Sequence, residues 1–228
     1  AELNSPAKSA SAPIRVMIID DHEIFRTGLE QIIRGQPDMI FGGGAGSSAD
    51  AMAIIRTSPP DVVILDLSLK GRSGIDVLKD ARALSGSARF LVLTVHDENL
   101  FAERALRAGA SGFIMKEEGA GRVLEGIREV AAGRFFFSSS VSQKILGTMS
   151  GRAREDGRLP MDRLTDRELV VFELFGRGLN TRQIAADLNL SQKTVEAHRE
   201  NIKRKLGIAD GQELLRRAVL WVQDLNVS

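Results

Sequence analysis

Cysteine is absent from the 228 residues. That removes disulfides, thiolate metal sites and a Cys nucleophile from consideration, and it suits a reducing cytoplasm. Excess charge of either sign is missing too: 31 Lys and Arg stand against 30 Asp and Glu, a formal net charge of +1. Any surface for a strongly charged partner therefore has to be local. The wholly apolar runs, such as Val62 to Leu65, are the size of a buried strand and fall far short of the roughly 20 residues that cross a bilayer. No membrane association is expected. Histidine is scarce, with His22, His96 and His198 scattered along the chain.

What the chain does have is a globular composition, 43% hydrophobic and 27% charged, and enough length for two domains that each bury a core. Residues 1–13, rich in Ala, Ser and Pro, lack a charged start followed by an apolar run. They read as a flexible leader and not as a signal peptide. From Ile14, short apolar runs alternate with longer amphipathic stretches, which predicts strands at Arg15 to Ile19, Met39 to Gly43, Asp61 to Leu65, Phe90 to Thr94 and Gly112 to Met115. Five strands with helices between them make a doubly wound parallel sheet, an α/β domain over residues 14–136. Val16 to Ile19 and Val62 to Leu65 are apolar on both faces, as strands covered by helices on both sides must be. Residues 137–160, with a serine cluster, one short amphipathic stretch from Val141 to Met149 and a polar Gly/Arg-rich segment, read as a linker. Residues 161–228 carry only helical periodicity, which predicts a small all-α second domain.

In an open α/β sheet the functional crevice lies at the carboxyl ends of the strands. The first strand ends in Asp20 and Asp21, the third in Asp66, the fourth in Thr94 and the fifth in Lys116. One apolar-to-acid junction means little, because Asp is common in loops and caps. Acid, acid, hydroxyl and ammonium at four strand ends together point to chemistry. Clustered carboxylates suit Mg2+, a hard ion held by a few oxygens. A carboxylate that accepts a phosphoryl group needs the added charge neutralised, and a metal, a Lys and a hydroxyl donor do this. Asp66, at the tip of an apolar central strand and followed by the turn residues Gly71, Ser73 and Gly74, is the best nucleophile candidate.

The residues Asp20-Asp21, Ile64-Leu65-Asp66-Leu67, Leu93-Thr94 and Phe113-Ile114-Met115-Lys116 resemble the receiver domain of two-component response regulators, a CheY-like fold, over roughly Ile14 to Gly133. The resemblance implies that Asp66 accepts phosphate from a sensor histidine kinase. It further implies that Asp20, Asp21, Asp66 and the backbone carbonyl of Ser68 hold Mg2+, and that Thr94 and Lys116 contact the phosphoryl oxygens. Phe113 would be an aromatic switch that turns inward as Thr94 moves. Two departures stand out: Lys70 where many relatives carry Pro, and Val95 where a small residue is common.

In the second domain, Leu164-Thr165-Asp166-Arg167-Glu168 offers a Thr cap and a first-turn acid, predicting a helix that ends near Gly176 to Gly178. A second helix is expected from Thr181 to Leu188, with Asn189 as a turn residue, and a third from the N-cap Ser191 to about Leu206. Two helices joined by a short turn make a helix-turn-helix, a pattern that many small α-domains share. The third helix narrows it. Val195, Ile202 and Leu206 form an inward stripe and Lys193, Glu196, Ala197 and Glu200 an outward one, and Lys193 to Lys205 holds five basic and two acidic residues. The wording of these helices, from Leu164-Thr165-Asp166-Arg167-Glu168 to Lys205-Leu206-Gly207, resembles the LuxR-type effector of the NarL/FixJ subfamily. This implies Lys193, Glu196, Ala197 and Glu200 toward base edges of double-stranded promoter DNA and Thr194, His198, Arg199 and Lys203 toward phosphates. Glu196 and Glu200 stand where some relatives use Lys. A carboxylate there accepts from cytosine N4 and shifts the preferred sequence. The final helix, Gln212 to Leu225, presents Leu215, Val219 and Val222, which in the family pair two effectors; packing within the domain is the equal alternative.

The expected protein is a cytoplasmic, phosphorylation-dependent DNA-binding regulator, not an enzyme, that forms a homodimer when phosphorylated or DNA-bound. Two rivals remain. One is a regulator indifferent to phosphate. The other is a phosphatase using Asp66, although such enzymes commonly place a second acid two residues on, where this chain has Ser68.

Overall fold

The computed structural model describes residues 12–149 and 160–225. Most of the expected leader and residues 150–159 of the expected linker lie outside that range. The first domain runs β1 (Ile14–Ile19), α1 (Glu23–Arg34), β2 (Met39–Ala45), α2 (Ser48–Thr57), β3 (Val62–Leu65), α3 (Gly74–Leu84), β4 (Arg89–Thr94), α4 (Glu98–Ala108), β5 (Gly112–Met115) and α5 (Gly119–Ala131). The strands form one five-stranded sheet in the order β2-β1-β3-β4-β5, and every neighbouring pair is parallel. β2 runs two residues past the expected Gly43, and a register shift against β1 between Val16 and Met17 takes up the Gly-rich stretch.

The two-residue period of the strands sorts the core onto two faces. Val16, Ile18, Ile64, Leu91 and Ile114 pack under Leu29 and Ile33 of α1 and Val123, Ile127 and Val130 of α5. Met17, Ile19, Val63, Leu65, Phe90 and Val92 pack under α2, α3 and α4. Each such side chain, fully buried, contributes roughly 1.5–3 kcal/mol, and the strand ends are fixed with a precision that the loops alone lack. Gly74 lets α3 begin hard against the loop after β3, since a Cβ there would lie 2.4 Å from Leu67 Cα.

Within the stretch read as linker, Ser139–Met149 forms helix α6, which packs on α4. The Ser138 and Ser140 hydroxyls donate to Glu98 at 2.8 and 3.2 Å. The second domain holds α7 (Asp166–Gly176), α8 (Thr181–Asp187), α9 (Gln192–Leu206) and α10 (Gly211–Leu225). Thr165 caps α7 in a reciprocal box with Glu168, Asn180 caps α8 with Gln183, and Ser191 caps α9. Asn189 turns the chain between α8 and α9 at φ 50°, the left-handed conformation that Asn tolerates. α10 lies on α7, with Phe172 and Trp221 rings 5.2 Å apart.

The two domains meet along α4 and α7. Arg104 of α4 donates to the Met161 and Leu164 carbonyls at 2.9 and 3.0 Å and pairs with Asp166 at 2.9 Å. His96, after β4, reaches Glu173 of α7 at 2.8 Å.

The approach of α10 to α7 is set by Gly176, where a Cβ would lie 2.4 Å from the Ala218 carbonyl oxygen and 2.5 Å from Val222 Cγ2. Gly176→Ala is expected to destabilise the second domain by about 1–3 kcal/mol through overpacking, read as an earlier urea midpoint in the Trp221 fluorescence. An unchanged midpoint would show that the helices can part without cost.

Candidate functional site

The carboxyl ends of β1, β3, β4 and β5 bring the expected residues together. Asp66, 1% exposed, and Asp20, 2% exposed, share the Lys116 ammonium, which donates to Asp20 Oδ2 at 2.7 Å and to Asp66 Oδ2 at 2.6 Å. The other Asp66 oxygen accepts from the Ser68 backbone N–H at 3.0 Å. Burial and the Asp66 charge push the Asp20 carboxyl above its ordinary range, against the pull of Lys116. Burial likewise works against the Lys116 ammonium, but Asp66 and Asp20 together hold its pKa above normal, so it stays charged.

The pocket also holds groups that the sequence reading passed over. His22 Nδ1 stands 3.3 Å from both Asp20 Oδ1 and Asp21 Oδ1. Lys70, noted as a departure from the family pattern, places its ammonium 3.6 Å from Asp21. The Lys116 ammonium sits 4.2 Å from the centre of the Phe25 ring. No hydrogen bond reaches Asp21 Oδ1, which is buried; His22 is near it but does not form one. Ligand atoms of Asp20, Asp21, His22 and Asp66 lie within 4.8 Å of one another. A buried carboxylate oxygen without a partner among several others is the donor set that a hard cation fits.

Thr94 is fully buried beside this pocket, and its Oγ1 accepts from the His96 backbone N–H at 3.4 Å. Phe113 is buried as well, so the ring expected to turn inward is already inside. Val95 points outward, 53% exposed, and crowds nothing.

On α9, Lys193, Glu196, Ala197 and Glu200 are exposed, while Thr194, His198, Arg199 and Lys203 are half-buried. The structure adds internal partners. Glu196 accepts from Thr181 at 2.8 Å and from Arg199 at 3.1 Å, Arg199 lies over the Phe175 ring, and Lys203 pairs with Glu200 at 2.7 Å. Burial and the neighbouring Arg167 lower the His198 pKa, which favours a neutral imidazole. On α10 Leu215 is exposed and Val219 half-buried, whereas Val222 packs onto α7 at Gly176. Leu220 is a further exposed apolar residue that the periodicity argument overlooked.

Residues 16–128 match the response regulator receiver domain family, and residues 162–218 match the bacterial regulatory proteins of the luxR family. The nitrate/nitrite response regulator protein homolog of Haemophilus influenzae is 36% identical over 86% of this chain and 91% of its own. The chain is a response regulator with a LuxR-type effector. The nitrate/nitrite response regulator protein NarP of Escherichia coli is likewise 36% identical, over 87% of the regulator and 91% of its own length. A solved structure of RcsB from Salmonella enterica serovar Typhimurium, bound to promoter rprA in the presence of the phosphomimetic BeF3−, matches with a TM-score of 0.57 at 26% identity, covering 90% of the regulator and 97% of that chain. The regulator is therefore a DNA-binding transcriptional response regulator and not an enzyme, and the phosphatase alternative falls. Among the described residues no helix is long and apolar enough to cross a membrane.

Removing the shared cation isolates the electrostatics. Lys116→Met leaves two buried carboxylates facing each other and should lower receiver stability at neutral pH by about 3 kcal/mol. The loss should shrink in millimolar Mg2+, or as the pH falls and Asp20 takes a proton. Urea titrations with and without the ion check this; a loss that Mg2+ leaves unchanged would show that the pocket does not gather cations.

Proposed function

We propose that Asp66 is the phosphoacceptor, that it takes its phosphoryl group from a sensor histidine kinase, and that the phosphorylated regulator, working in the cytoplasm, binds promoter DNA as a homodimer. The observation that carries this reading is the Lys116 ammonium held between Asp66 and Asp20 at the strand ends. In the transfer, a carboxylate oxygen of Asp66 attacks phosphorus, the phosphorus–nitrogen bond of the kinase phosphohistidine breaks, and the imidazole leaves with the bonding pair.

Asp20, Asp21 and Asp66, with the Ser68 carbonyl, would hold Mg2+; bound there, it supplies positive charge to the phosphoryl oxygens. Lys116 is already charged, desolvated and aimed at Asp66, so it can follow the new dianion without reorganisation. Thr94 supplies a hydroxyl from the neighbouring strand. With Phe113 already inside, Thr94 and Ser68 carry the hydroxyls that can change partners. The complete set of phosphotransfer groups favours this reading over a regulator indifferent to phosphate.

For DNA, Lys193, Glu196, Ala197 and Glu200 are the base-facing set and Thr194, His198, Arg199 and Lys203 the phosphate-facing set. Their exposure supports the division. For the dimer, Leu215 with Val219 is the free part of α10, and Val222 belongs to internal packing.

Asp66→Asn is expected to abolish labelling by acetyl phosphate and to weaken promoter binding; retained labelling would overturn the site. On DNA, Glu196→Ala should relax preference at one base pair by roughly 1–3 kcal/mol. Lys203→Ala should instead weaken all sequences alike and reduce the salt slope by about one. Identical behaviour of the two variants in salt-dependent binding assays would contradict the division.

A further inference from the structure

We propose that His96 is a latch between the phosphoacceptor loop and the DNA-binding domain, closed by Glu173 and opened by competition for the Ser68 and Thr94 hydroxyls when Asp66 is phosphorylated. The proposal rests on the reading of Asp66 as phosphoacceptor.

His96 is 4% exposed and Glu173 1% exposed, and they belong to different domains. His96 Nδ1 lies 2.8 Å from Glu173 Oε2, and Arg177 completes the group by donating to Glu173 Oε1 at 2.7 Å. Burial disfavours charge on Glu173, but hydrogen bonding to His96 and the ion pair with Arg177 outweigh it and hold the carboxyl below its ordinary range. An ionised Glu173 accepts, so Nδ1 of His96 carries the proton between them.

The other ring nitrogen, Nε2, lies 3.1 Å from Ser68 Oγ. Ser68 is in turn tied to Asp66 through its backbone N–H. The His96 backbone N–H leans on Thr94 Oγ1, and the ring packs against Phe101 of α4 at 4.8 Å. One residue thus touches the phosphoacceptor loop, the hydroxyl at the end of β4 and the effector.

A phosphoryl group on Asp66 brings three strong acceptor oxygens into reach of hydroxyls that His96 now uses. A Ser68 proton donated to phosphate is lost to His96 Nε2, and a Thr94 drawn toward phosphate withdraws the support of the His96 backbone. The ring is then buried with its partners displaced, a costly state that undocking α7 relieves by letting water in. The docked state leaves Lys193, Glu196, Ala197 and Glu200 exposed on α9. The latch therefore controls where the effector is held and does not cover its reading face.

The absence of cysteine permits one clean spin-label pair on the full chain, at the exposed positions Ala83→Cys and Gln212→Cys. Without phosphate the distance distribution should be narrow, and acetyl phosphate with Mg2+ should broaden it. His96→Leu should broaden it without phosphate, raising the undocked fraction about tenfold or more. Glu173→Gln, which keeps the shape of the side chain and removes the carboxylate that His96 meets, should do the same and keeps the test alive if the His96 variant unfolds. A narrow distribution in the folded variants would overturn the latch. Ser68→Ala, which takes the hydroxyl from His96 permanently, should already be broader than wild type without phosphate and gain less per phosphorylated molecule, with uptake measured by phosphate-affinity electrophoresis; a distribution as narrow as wild type without phosphate, or an equal gain on phosphorylation, would overturn the coupling. A wild-type chain that takes up no phosphate would overturn the phosphoacceptor reading and the coupling with it, while a His96→Leu chain that opens would still support the closed pair.

Discussion

The receiver depends on neutralising carboxylates that its own topology forces together. A parallel sheet delivers Asp20 and Asp66 to the ends of adjacent central strands, β1 and β3, where burial and mutual repulsion both act against charge. Lys116, sent in from β5 at the sheet edge, is the residue that makes this tolerable, because its ammonium reaches both acids at hydrogen-bond distance. Asp21 retains an unbonded oxygen at the same place. The pocket is thus balanced on one side and unfinished on the other, a condition suited to a site that must add charge and later lose it.

Much of the first domain was readable from residues because both-face burial leaves a plain mark. Val16 to Ile19 and Val62 to Leu65 are apolar without alternation, and both are central strands. Strand ends followed, and so did the acidic site, since residues at strand termini converge by topology and not by side-chain detail. β2 was read two residues short, without Gly44 and Ala45, because the run Gly42 to Gly44 carries no hydrophobic signal. In the second domain the caps Thr165, Asn180 and Ser191 are local hydrogen-bonding devices, so α7, α9 and the intervening turn could be placed from short windows. α6 was half visible, as an amphipathic stretch without obvious cover; α4, far off in sequence, provides it.

What stayed hidden depends on contacts between distant segments. His96 read as one of three scattered histidines, and Glu173 as an ordinary helical acid, because the pairing spans 77 positions. One clue was present: Glu173 follows Leu169 and Phe172 on a helix whose other members there are buried, so an acid at that point needed a partner. For Val222 the spacing left two alternatives open, a pairing surface and packing within the domain, for a similar reason. Its spacing fits a free face, but Gly176 opens a slot on α7 that only the packed helices reveal.

That slot has a mechanical meaning. α7 carries Glu173, by which the receiver grips the effector, and it is also the bed into which α10 is sunk at Gly176. Helices seated that closely cannot slide or tilt independently. The effector must swing as one rigid body, so the handle and the face carrying Leu215 move through the same arc.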